Sequence, residues 1–236
     1  MAPTRIADEL RHALVVDFPL RGEWMAVQTP ATRIPSHGTD LLAQRYAFDL
    51  IRFDPRPGAP YHPAGGLRAL LFGIPTRQAH GWGEPVHAPL DGEVVAAVDG
   101  VPERQRIHPV GELFRAARNA AGFRPTPEHV ARLLGNHVIL AGDGGVHAGF
   151  AHFTTGSVAV KVGQRVVTGQ MLGRVGHKGN STAPHLHFQL MDGPDPLTAR
   201  GLPCAFRSYE VWREGTWERV ENAIPTSTER IRSVSS

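Results

Sequence analysis

Apolar and polar positions alternate along many short runs of this chain, and the clearest run contains two histidines. In the segment APHLHFQL at residues 183–190, the leucines and the phenylalanine fall on one side of a predicted strand, and His185, His187 and Gln189 fall on the other. The first side is typical of a core face. Two neighbouring imidazoles on the second side fit the wet face of an antiparallel sheet, and a binding or catalytic role would require partners elsewhere in the chain.

A second predicted strand carries an acidic residue among apolar neighbours. In the segment RYAFDLIRF at residues 45–53, Asp49 shares a face with Ala47, Ile51 and Phe53. A carboxylate on such a face is costly to bury without a positive charge beside it. We therefore expect a cation or a charged side chain next to Asp49.

The remaining strand signals predict a mainly β fold. They comprise two short strands around a turn at residues 91–92, a hairpin about residues 143–145, valine-rich strands separated by Gly-Gln turns at 163–164 and 169–170, and a strand pair in SYEVWREGTWERV at 208–220. Many short strands joined by tight turns indicate an antiparallel β-sheet, arranged as a sandwich or a barrel-like sheet.

Helical patterns are confined to two regions. Residues 4–14 predict a short helix with Ile6, Leu10 and Leu14 along one side, followed by irregular chain to about residue 36. Residues 111–135 predict two helices, the second with Thr126 as its N-cap and Pro127 in the first helical position. We interpret residues of about 101–135 as a helical insertion, and the Pro- and Gly-rich residues 54–81 as a surface loop or lid.

The composition narrows the chemistry that the chain can perform. It has 236 residues, of which 41% are hydrophobic, and this suffices to bury a core. The formal net charge is +3, but Lys and Arg are scattered, so we expect no nucleic-acid partner. Cys204 is the only cysteine, which excludes an intramolecular disulfide framework and a cysteine-based zinc cage. Any metal ion would therefore be held by histidine and carboxylate side chains.

The first 24 residues predict no targeting or membrane segment. Their apolar stretches are interrupted by Asp8, Glu9 and Asp17 and are too short for a signal peptide or a transmembrane helix. This pattern is typical of a cytoplasmic protein or of a trimmed chain.

Three segments together resemble the lysostaphin-type (LytM-like) zinc metallopeptidases in order and spacing. They are PVHAPLDGEVV, FAHF and VKVGQRVVTGQMLGRVGHKGNSTAPHLHFQL, and the resemblance covers roughly residues 36–53 and 82–191. It implies a peptidase core of the duplicated hybrid motif type at residues 36–205, interrupted by the helical insertion. Residues 1–35 would then form an N-terminal extension, and residues 206–236 a C-terminal extension.

The resemblance also implies Zn²⁺ as the cofactor and a set of ligands. The second histidine of the family's His-x-His motif is a zinc ligand, which corresponds to His187, and the early His-x-x-x-Asp motif supplies the others. Here His37 is followed by Asp40 one place too near and by Asp49 well beyond the usual spacing. We prefer His37 with Asp49, because the apolar face around Asp49 independently requires a cation. Residues 38–45 would then form an enlarged loop, and Asp40 stays the alternative ligand.

The family's catalytic, non-ligand histidines correspond to His152 and His185. His152 lies in Phe-Ala-His where the family has Tyr-Ala-His, so the aromatic hydroxyl is absent. Asn180 and Ser181 are expected to shape the turn before the histidine strand. His177, in the glycine-rich approach to that strand, is a candidate for substrate contact.

The function implied by the resemblance is that of a zinc-dependent endopeptidase acting on peptides of bacterial peptidoglycan. A zinc-activated water would attack the peptide bond with the help of two histidines. The missing export signal is at odds with a substrate outside the cytoplasm. Two alternatives stay open. One is a histidine phosphocarrier-type module in which His185 or His152 accepts phosphate, and the other is a non-catalytic zinc-binding homologue.

Overall fold

The computed structural model of the protein describes residues 3–53 and 72–234, and these residues form a mainly β fold. The elements in chain order are α1 (Pro3–Leu10), β1 (Leu14–Val16), β2 (Glu23–Gln28), β3 (Phe48–Arg52), β4 (Ile74–Pro75), β5 (Pro85–His87), β6 (Gly92–Val98), β7 (Arg106–Ile107), α2 (Pro109–Ala121), α3 (Pro127–Leu134), β8 (His137–Ala141), β9 (His147–Ala151), β10 (Arg165–Val166), β11 (Met171–Arg174), β12 (Leu186–Met191), β13 (Gly201–Leu202), β14 (Cys204–Arg213), β15 (Thr216–Ala223) and β16 (Ile231–Arg232). Short 3₁₀ turns lie at Leu41–Tyr46, Thr76–Gln78 and Asp143–Gly145.

One large sheet organises the molecule. Its strand order is β1-β14-β16-β2-β3-β12-β9-β8-β6-β10, with β13 beside β12 and β15 beside β14. Every pairing in it is antiparallel except that of β1 with β14, which is parallel. The predicted mainly β fold with a helical insertion is confirmed, and its sheet is antiparallel as expected except at this one edge.

The main core lies between this sheet and the small ribbon formed by β5 and β11. Phe48, Phe150 and Phe188, from three adjacent strands, are each at most 1% exposed, and the Phe188 ring packs against the other two. Val86 of β5 and Leu172 of β11 belong to the same apolar cluster. Because side chains alternate along a strand, burying Phe188 in this core turns the neighbouring positions of β12 to the opposite face.

The N-terminal region differs from the sequence prediction. The helix α1 ends at Leu10, and Leu14 begins β1 instead of extending the helix. The chain after it is not irregular, because β1 pairs with β14, and β2 pairs with β3 and β16. These partners are far away along the chain, so a local pattern could not reveal them.

Two further predictions concern the region between residues 54 and 101. Residues 54–71 of the predicted loop lie outside the described residues, and the part from residue 72 contains β4. The strands on either side of the turn at 91–92 exist but do not pair with each other. Instead β5 pairs with β11, and β6 pairs with β8 and β10.

The predicted turns and caps are present. Gly163 and Gly169 have φ values of +82° and +84°, which glycine adopts without steric cost, and the following glutamines accept backbone N–H bonds. The Thr126 side chain accepts the backbone N–H of His129, as expected for the N-cap of α3. These turns could be predicted because their geometry depends on adjacent residues.

The segment before residue 36 contributes β1 and β2 to the same sheet as β3, and the segment from residue 204 onward contributes β14, β15 and β16. The domain limits remain predictions. None of the helices formed by residues 3–53 and 72–234 has both the length and the apolar character needed to cross a membrane.

Candidate active site

The register of three neighbouring strands brings the predicted site residues to one place. In β12, His187 pairs directly with Asp49 of β3 on one side, and β9 pairs on the other side. His185 immediately precedes β12, and His152 immediately follows β9. His37 reaches the same place from the loop between β2 and β3.

The Asp49 carboxylate is the point on which three imidazoles converge. Its Oδ1 atom lies 2.9 Å from His187 Nδ1, 3.2 Å from His37 Nε2 and 3.4 Å from His185 Nε2. One ligand atom from each of His37, Asp49 and His187 falls within 4.8 Å of the others. Three side chains far apart in the sequence therefore present donor atoms to one small volume.

The hydrogen bonds of His187 indicate which ring nitrogen carries the proton and which one is unprotonated in the neutral ring. The Gln189 amide nitrogen donates to Leu42 O at 2.9 Å, so the Gln189 Oε1 atom faces His187 Nε2 at 2.9 Å. An amide oxygen only accepts, so Nε2 carries the proton. In the neutral ring, Nδ1 is then a lone pair that lies 2.9 Å from Asp49 Oδ1.

The same reasoning applies to His37. The Ser36 hydroxyl donates to Gln44 O at 3.1 Å, so its oxygen accepts from His37 Nδ1, also at 3.1 Å. The Nε2 atom of His37 is therefore the lone pair in the neutral ring. It is buried and has no aligned hydrogen-bond partner among the described residues, although Asp49 Oδ1 is 3.2 Å away.

A carboxylate and two imidazole nitrogens at these distances need a positive charge among them, supplied by a proton on a ring or by a bound metal ion. Burial alone would raise the pKa of the Asp49 carboxyl, but the adjacent His185 and His37 hold that pKa well below its usual range. Asp49 is thus ionised, and the charge that lowers its pKa is that of the protonated rings. A metal ion bound to the neutral forms of His37 and His187 would replace that charge. Two histidines and one carboxylate form a donor set that suits zinc and leaves a fourth tetrahedral position open.

His152 and His185 lie beside this donor set. Their ring centroids are 4.8 Å apart, and the His152 ring lies 5.9 Å from that of His187. His152 Nδ1 lies 3.2 Å from Leu134 O, and His185 Nδ1 lies 2.7 Å from Ala183 O. A carbonyl only accepts, so both Nδ1 atoms donate, and Nε2 is the nitrogen of each ring that can exchange a proton. His185 Nε2 also faces Asp49 Oδ1 at 3.4 Å.

The environments of these two histidines differ. Burial, with smaller contributions from His185 and His187, lowers the pKa of His152 well below its usual value. Burial would also lower the pKa of His185, but the Asp49 carboxylate outweighs it and raises that pKa. Neighbouring titratable groups whose pKa values are shifted in opposite directions are typical of catalytic acid and base pairs.

Backbone strain is concentrated around the same residues. His152 has a φ of +71° and Leu42 has a φ of +58°, which costs roughly 1 to 2 kcal/mol for each non-glycine residue. Neighbouring groups hold His152 in this conformation, because its N–H donates to Leu134 O at 3.1 Å and its carbonyl accepts from Gly176 N at 2.9 Å. Strained non-glycine residues are typical of functional sites.

Asp40, the alternative ligand, lies away from the imidazole cluster. Its side chain is 66% exposed, and it pairs with Arg45 Nη1 at 2.8 Å. The two aspartates thus differ in surroundings, since Asp49 faces three histidines and Asp40 faces solvent and an arginine.

The turn before β12 contains His177, for which the sequence suggested contact with substrate. That ring is fully buried, and its Nδ1 atom lies 3.0 Å from Ser181 Oγ. The candidate role of His177 in substrate contact is therefore wrong, because no part of the ring is open to a substrate. Asn180 and Ser181 do shape the turn, since Asn180 accepts from Asn119 of α2 and the Ser181 hydroxyl donates to Ala183 O.

Ser36 and Gln189, which orient the two histidine ligand candidates, lie outside the set predicted from the sequence. Alternation along β12 already placed Gln189 on the face of the histidines, and this was the available signal. Ser36 carried no such signal, because its hydroxyl reaches Gln44 O only after the loop has folded.

A cavity of about 360 Å³ adjoins His37. One wall is the loop that carries Leu41 and Leu42, and the other wall comes from the helical insertion through Phe123 and Leu133. The insertion therefore borders the space next to the candidate metal ligands.

A buried glutamate of the insertion is expected to make stability depend on pH. Burial alone would raise the pKa of Glu112, but the positive charges of Arg104 and Arg115 beside it help to hold that pKa below its ordinary value of 4.5. A lowered pKa means that the unfolded chain binds more protons, so this contribution is present above pH 4.5 and is lost as the pH falls below it. In urea unfolding, the loss of stability caused by Glu112→Gln should be largest near pH 7 and should shrink toward pH 3.

The matched control for this experiment is Glu221→Gln, on a surface side chain that is 62% exposed. Its effect should be small and nearly constant over the same pH range. A Glu112→Gln penalty that does not change with pH would contradict the expectation.

Comparison with known proteins identifies relatives of this chain. Residues 125–199, which contain His152, His185 and His187, match the model of Peptidase family M23. The glycyl-glycine endopeptidase ALE-1 of Staphylococcus capitis is 47% identical over 57 residues, which are 24% of this chain and 16% of that protein. The predicted resemblance to lysostaphin-type peptidases is confirmed.

Solved structures of similar proteins include two catalytic domains. That of lysostaphin from Staphylococcus simulans is 25% identical and matches 60% of this chain and 84% of its own, with a TM-score of 0.34. A variant of the catalytic domain of the prophage-encoded M23 protein EnpA from Enterococcus faecalis is 22% identical and matches 64% and 94%, also with a TM-score of 0.34.

Proposed function

We propose that this chain, whose residues 125–199 match Peptidase family M23, is a zinc-dependent endopeptidase that hydrolyses peptide bonds in peptidoglycan peptides. The observation that carries the proposal is the convergence of His37, Asp49 and His187, which place one ligand atom each within 4.8 Å of the others. His37 and His187 would bind the ion through Nε2 and Nδ1 respectively, and Asp49 would bind it through Oδ1. A bound zinc ion would make a water molecule acidic near neutral pH and would polarise the scissile carbonyl.

Ser36 and Gln189 support this assignment by orienting the two ligands. Each accepts a hydrogen bond from the nitrogen that does not face Asp49, so each selects the tautomer that a metal ligand needs. Partners of this kind are a usual part of metal sites built from histidine.

His152 and His185 would divide the proton transfers of the hydrolysis. A proton leaves the attacking water for one Nε2 atom as the new bond from oxygen to the carbonyl carbon forms. The other ring enters the step protonated at Nε2 and delivers that proton to the amide nitrogen as the carbon–nitrogen bond breaks. The products are an amine and a carboxylic acid, which then loses its proton to solvent. Both Nδ1 atoms remain hydrogen-bonded to backbone carbonyls, so the rings keep their orientation throughout.

The substrate class rests on the relatives and on the cleft. ALE-1 is a glycyl-glycine endopeptidase, and we extend peptide-bond hydrolysis in peptidoglycan peptides to this chain. The cavity beside His37 would hold a neighbouring residue of the peptide, between the enlarged loop and the helical insertion.

The phosphocarrier alternative is less well supported. A phosphoryl group on His185 would lie against the Asp49 carboxylate, whose Oδ1 atom is 3.4 Å from His185 Nε2. Two anions at that distance repel each other strongly in a buried site. The match to a peptidase family also favours hydrolysis over phosphate transfer.

Removal and return of the metal tests the proposed function. Dialysis against a chelator should abolish the cleavage of purified peptidoglycan and of an oligoglycine peptide, and one equivalent of zinc per chain should restore it. Metal analysis of the active protein should find one zinc ion. Activity that persists without metal would contradict the proposal, one zinc without cleavage would favour the non-catalytic homologue, and phosphorylation of a histidine in the metal-free protein would favour the phosphocarrier.

A further inference from the structure

The helical insertion carries a buried charge network that the proposed hydrolysis does not use. Glu112 of α2 is 3% exposed, and its carboxylate lies 3.1 Å from Arg104 Nη2 and 3.3 Å from Arg115 Nε. Arg104 Nε also donates to Glu112 Oε1 at 3.2 Å. A salt bridge so deeply buried is costly to desolvate and is weak evidence for stability by itself. Its position therefore calls for another explanation.

Arg104 fastens the turn that leads into the histidine strand. Its Nη1 atom donates to Gly179 O at 3.0 Å, and its Nη2 atom donates to Ser181 O at 2.6 Å. The same Nη2 atom lies 3.2 Å from His177 Nε2, closer than the 3.5 Å that separates this nitrogen from Glu112. One guanidinium thus holds the turn at three points. Lysine could not do this, because it lacks the planar fork of donors.

The hydrogen bonds continue from this turn to His185. The Ser181 hydroxyl donates its proton to Ala183 O, at 2.5 Å. Its oxygen therefore accepts from His177 Nδ1 at 3.0 Å, and His177 Nε2 is left as the lone pair that accepts from Arg104. The Ala183 carbonyl, held by Ser181, also accepts from His185 Nδ1 at 2.7 Å.

The opposite side of the His177 segment is held as well. The backbone N–H of His177 donates to Glu103 Oε1 at 2.6 Å, and the other Glu103 oxygen accepts from Trp82 Nε1 at 2.8 Å. Glu103 and Arg104, which lie shortly before α2, therefore form hydrogen bonds to the turn at residues 177–181 from two sides.

We infer that Arg104, itself held by Glu112, is a positioning residue for His185. It acts through His177, Ser181 and the Ala183 carbonyl, and it directs the His185 Nε2 atom toward the candidate metal ligands. The helical insertion would then contribute to catalysis by orienting a reacting histidine, in addition to bordering the cleft. This inference rests on the proposed function only where it assigns a proton transfer to His185.

The test uses the zinc-loaded full chain and the variants Arg104→Met and Glu112→Gln. Nuclear magnetic resonance of ¹⁵N-labelled histidine should show a single Nδ1–H tautomer for His177 and His185 in the wild type. In Arg104→Met we expect the signals of both rings to change and kcat to fall by about 10- to 100-fold, with little change in KM or zinc content. Arg104→Lys should recover only part of the lost kcat.

The control variant is Arg132→Met, on an exposed position of α3, which should match the wild type in every measurement. Glu112→Gln keeps the size of the side chain and should change the same signals to a smaller extent, so the test does not depend on the folding of one variant. Wild-type His185 signals in both variants would overturn the inference, and so would altered His185 signals with an unchanged kcat. If the wild-type protein cleaves no peptide, the proposed function fails, and the His185 signals alone decide whether Arg104 positions this ring.

Discussion

Replacing Asp49 by asparagine is expected to abolish zinc binding and peptide hydrolysis, whereas the same change at Asp40 is expected to leave both intact. Asparagine keeps the shape of the side chain but removes the negative charge on which His37, His185 and His187 converge. Changes to groups that only orient metal ligands typically cost 10- to 100-fold in affinity. Loss of a ligand should cost more than about 100-fold.

Zinc-dependent stability gives a readout that does not require a substrate. A ligand that binds only the folded state stabilises it by about 2.7 kcal/mol when its free concentration is 100 times Kd. Thermal unfolding of the wild type and of Asp40→Asn should therefore shift upward with added zinc, and unfolding of Asp49→Asn should not. A zinc-induced shift in Asp49→Asn together with none in Asp40→Asn would assign the ligand to the loop aspartate instead.

Replacing His185 by glutamine is expected to lower kcat by about 10² to 10⁴-fold while zinc stays bound. Positioned acid and base groups typically contribute this much to a reaction rate. The ring lies beside the ligand set, with Nε2 3.4 Å from Asp49 Oδ1, and its Nδ1 atom is tied to Ala183 O. Glutamine can form hydrogen bonds there but cannot exchange protons near neutral pH. Steady-state kinetics on an oligoglycine peptide, together with metal analysis, measures both quantities.

The matched control is His147→Gln, on a histidine of β9 that lies away from the imidazole cluster and contacts Gly145 O. It should retain both zinc and kcat. If His185→Gln loses its zinc, His185 belongs to the ligand set, and the division of roles between His185 and His187 must be reversed. If it retains full activity, the ring takes no part in the proton transfers.

A double variant of His152 and His185 would show whether the two rings act as one unit. Residues that share a catalytic step give strongly non-additive effects. The double variant should then be little slower than the slower single variant.

Local order in the sequence determined several parts of this protein. The Gly-Gln turns, the N-cap at Thr126 and the hairpin at 143–145 depend on residues adjacent in the chain, so they could be predicted and are present. Alternation in β12 likewise separated the core face of Phe188 from the face of His187. Such features follow from the fixed periods of strands and turns.

The tertiary structure decided what depends on distant pairing. The strands β1 and β2 carry little local signal in the sequence. They form because β1 pairs with β14, and β2 pairs with β16 and β3. The difference in environment between Asp49 and Asp40 comes from strand register, which sets Asp49 opposite His187 and leaves Asp40 beside Arg45.

The supporting residues of the site illustrate the same limit most clearly. Arg104 and Glu112 show no pattern in the sequence, because their partners His177 and Ser181 lie more than 60 positions away and meet them only in the fold. The chain by itself determined which residue types were available for metal binding and proton transfer. Their orientation was decided by hydrogen bonds between distant segments, since a lone pair or a proton is directed only when its partner is in place.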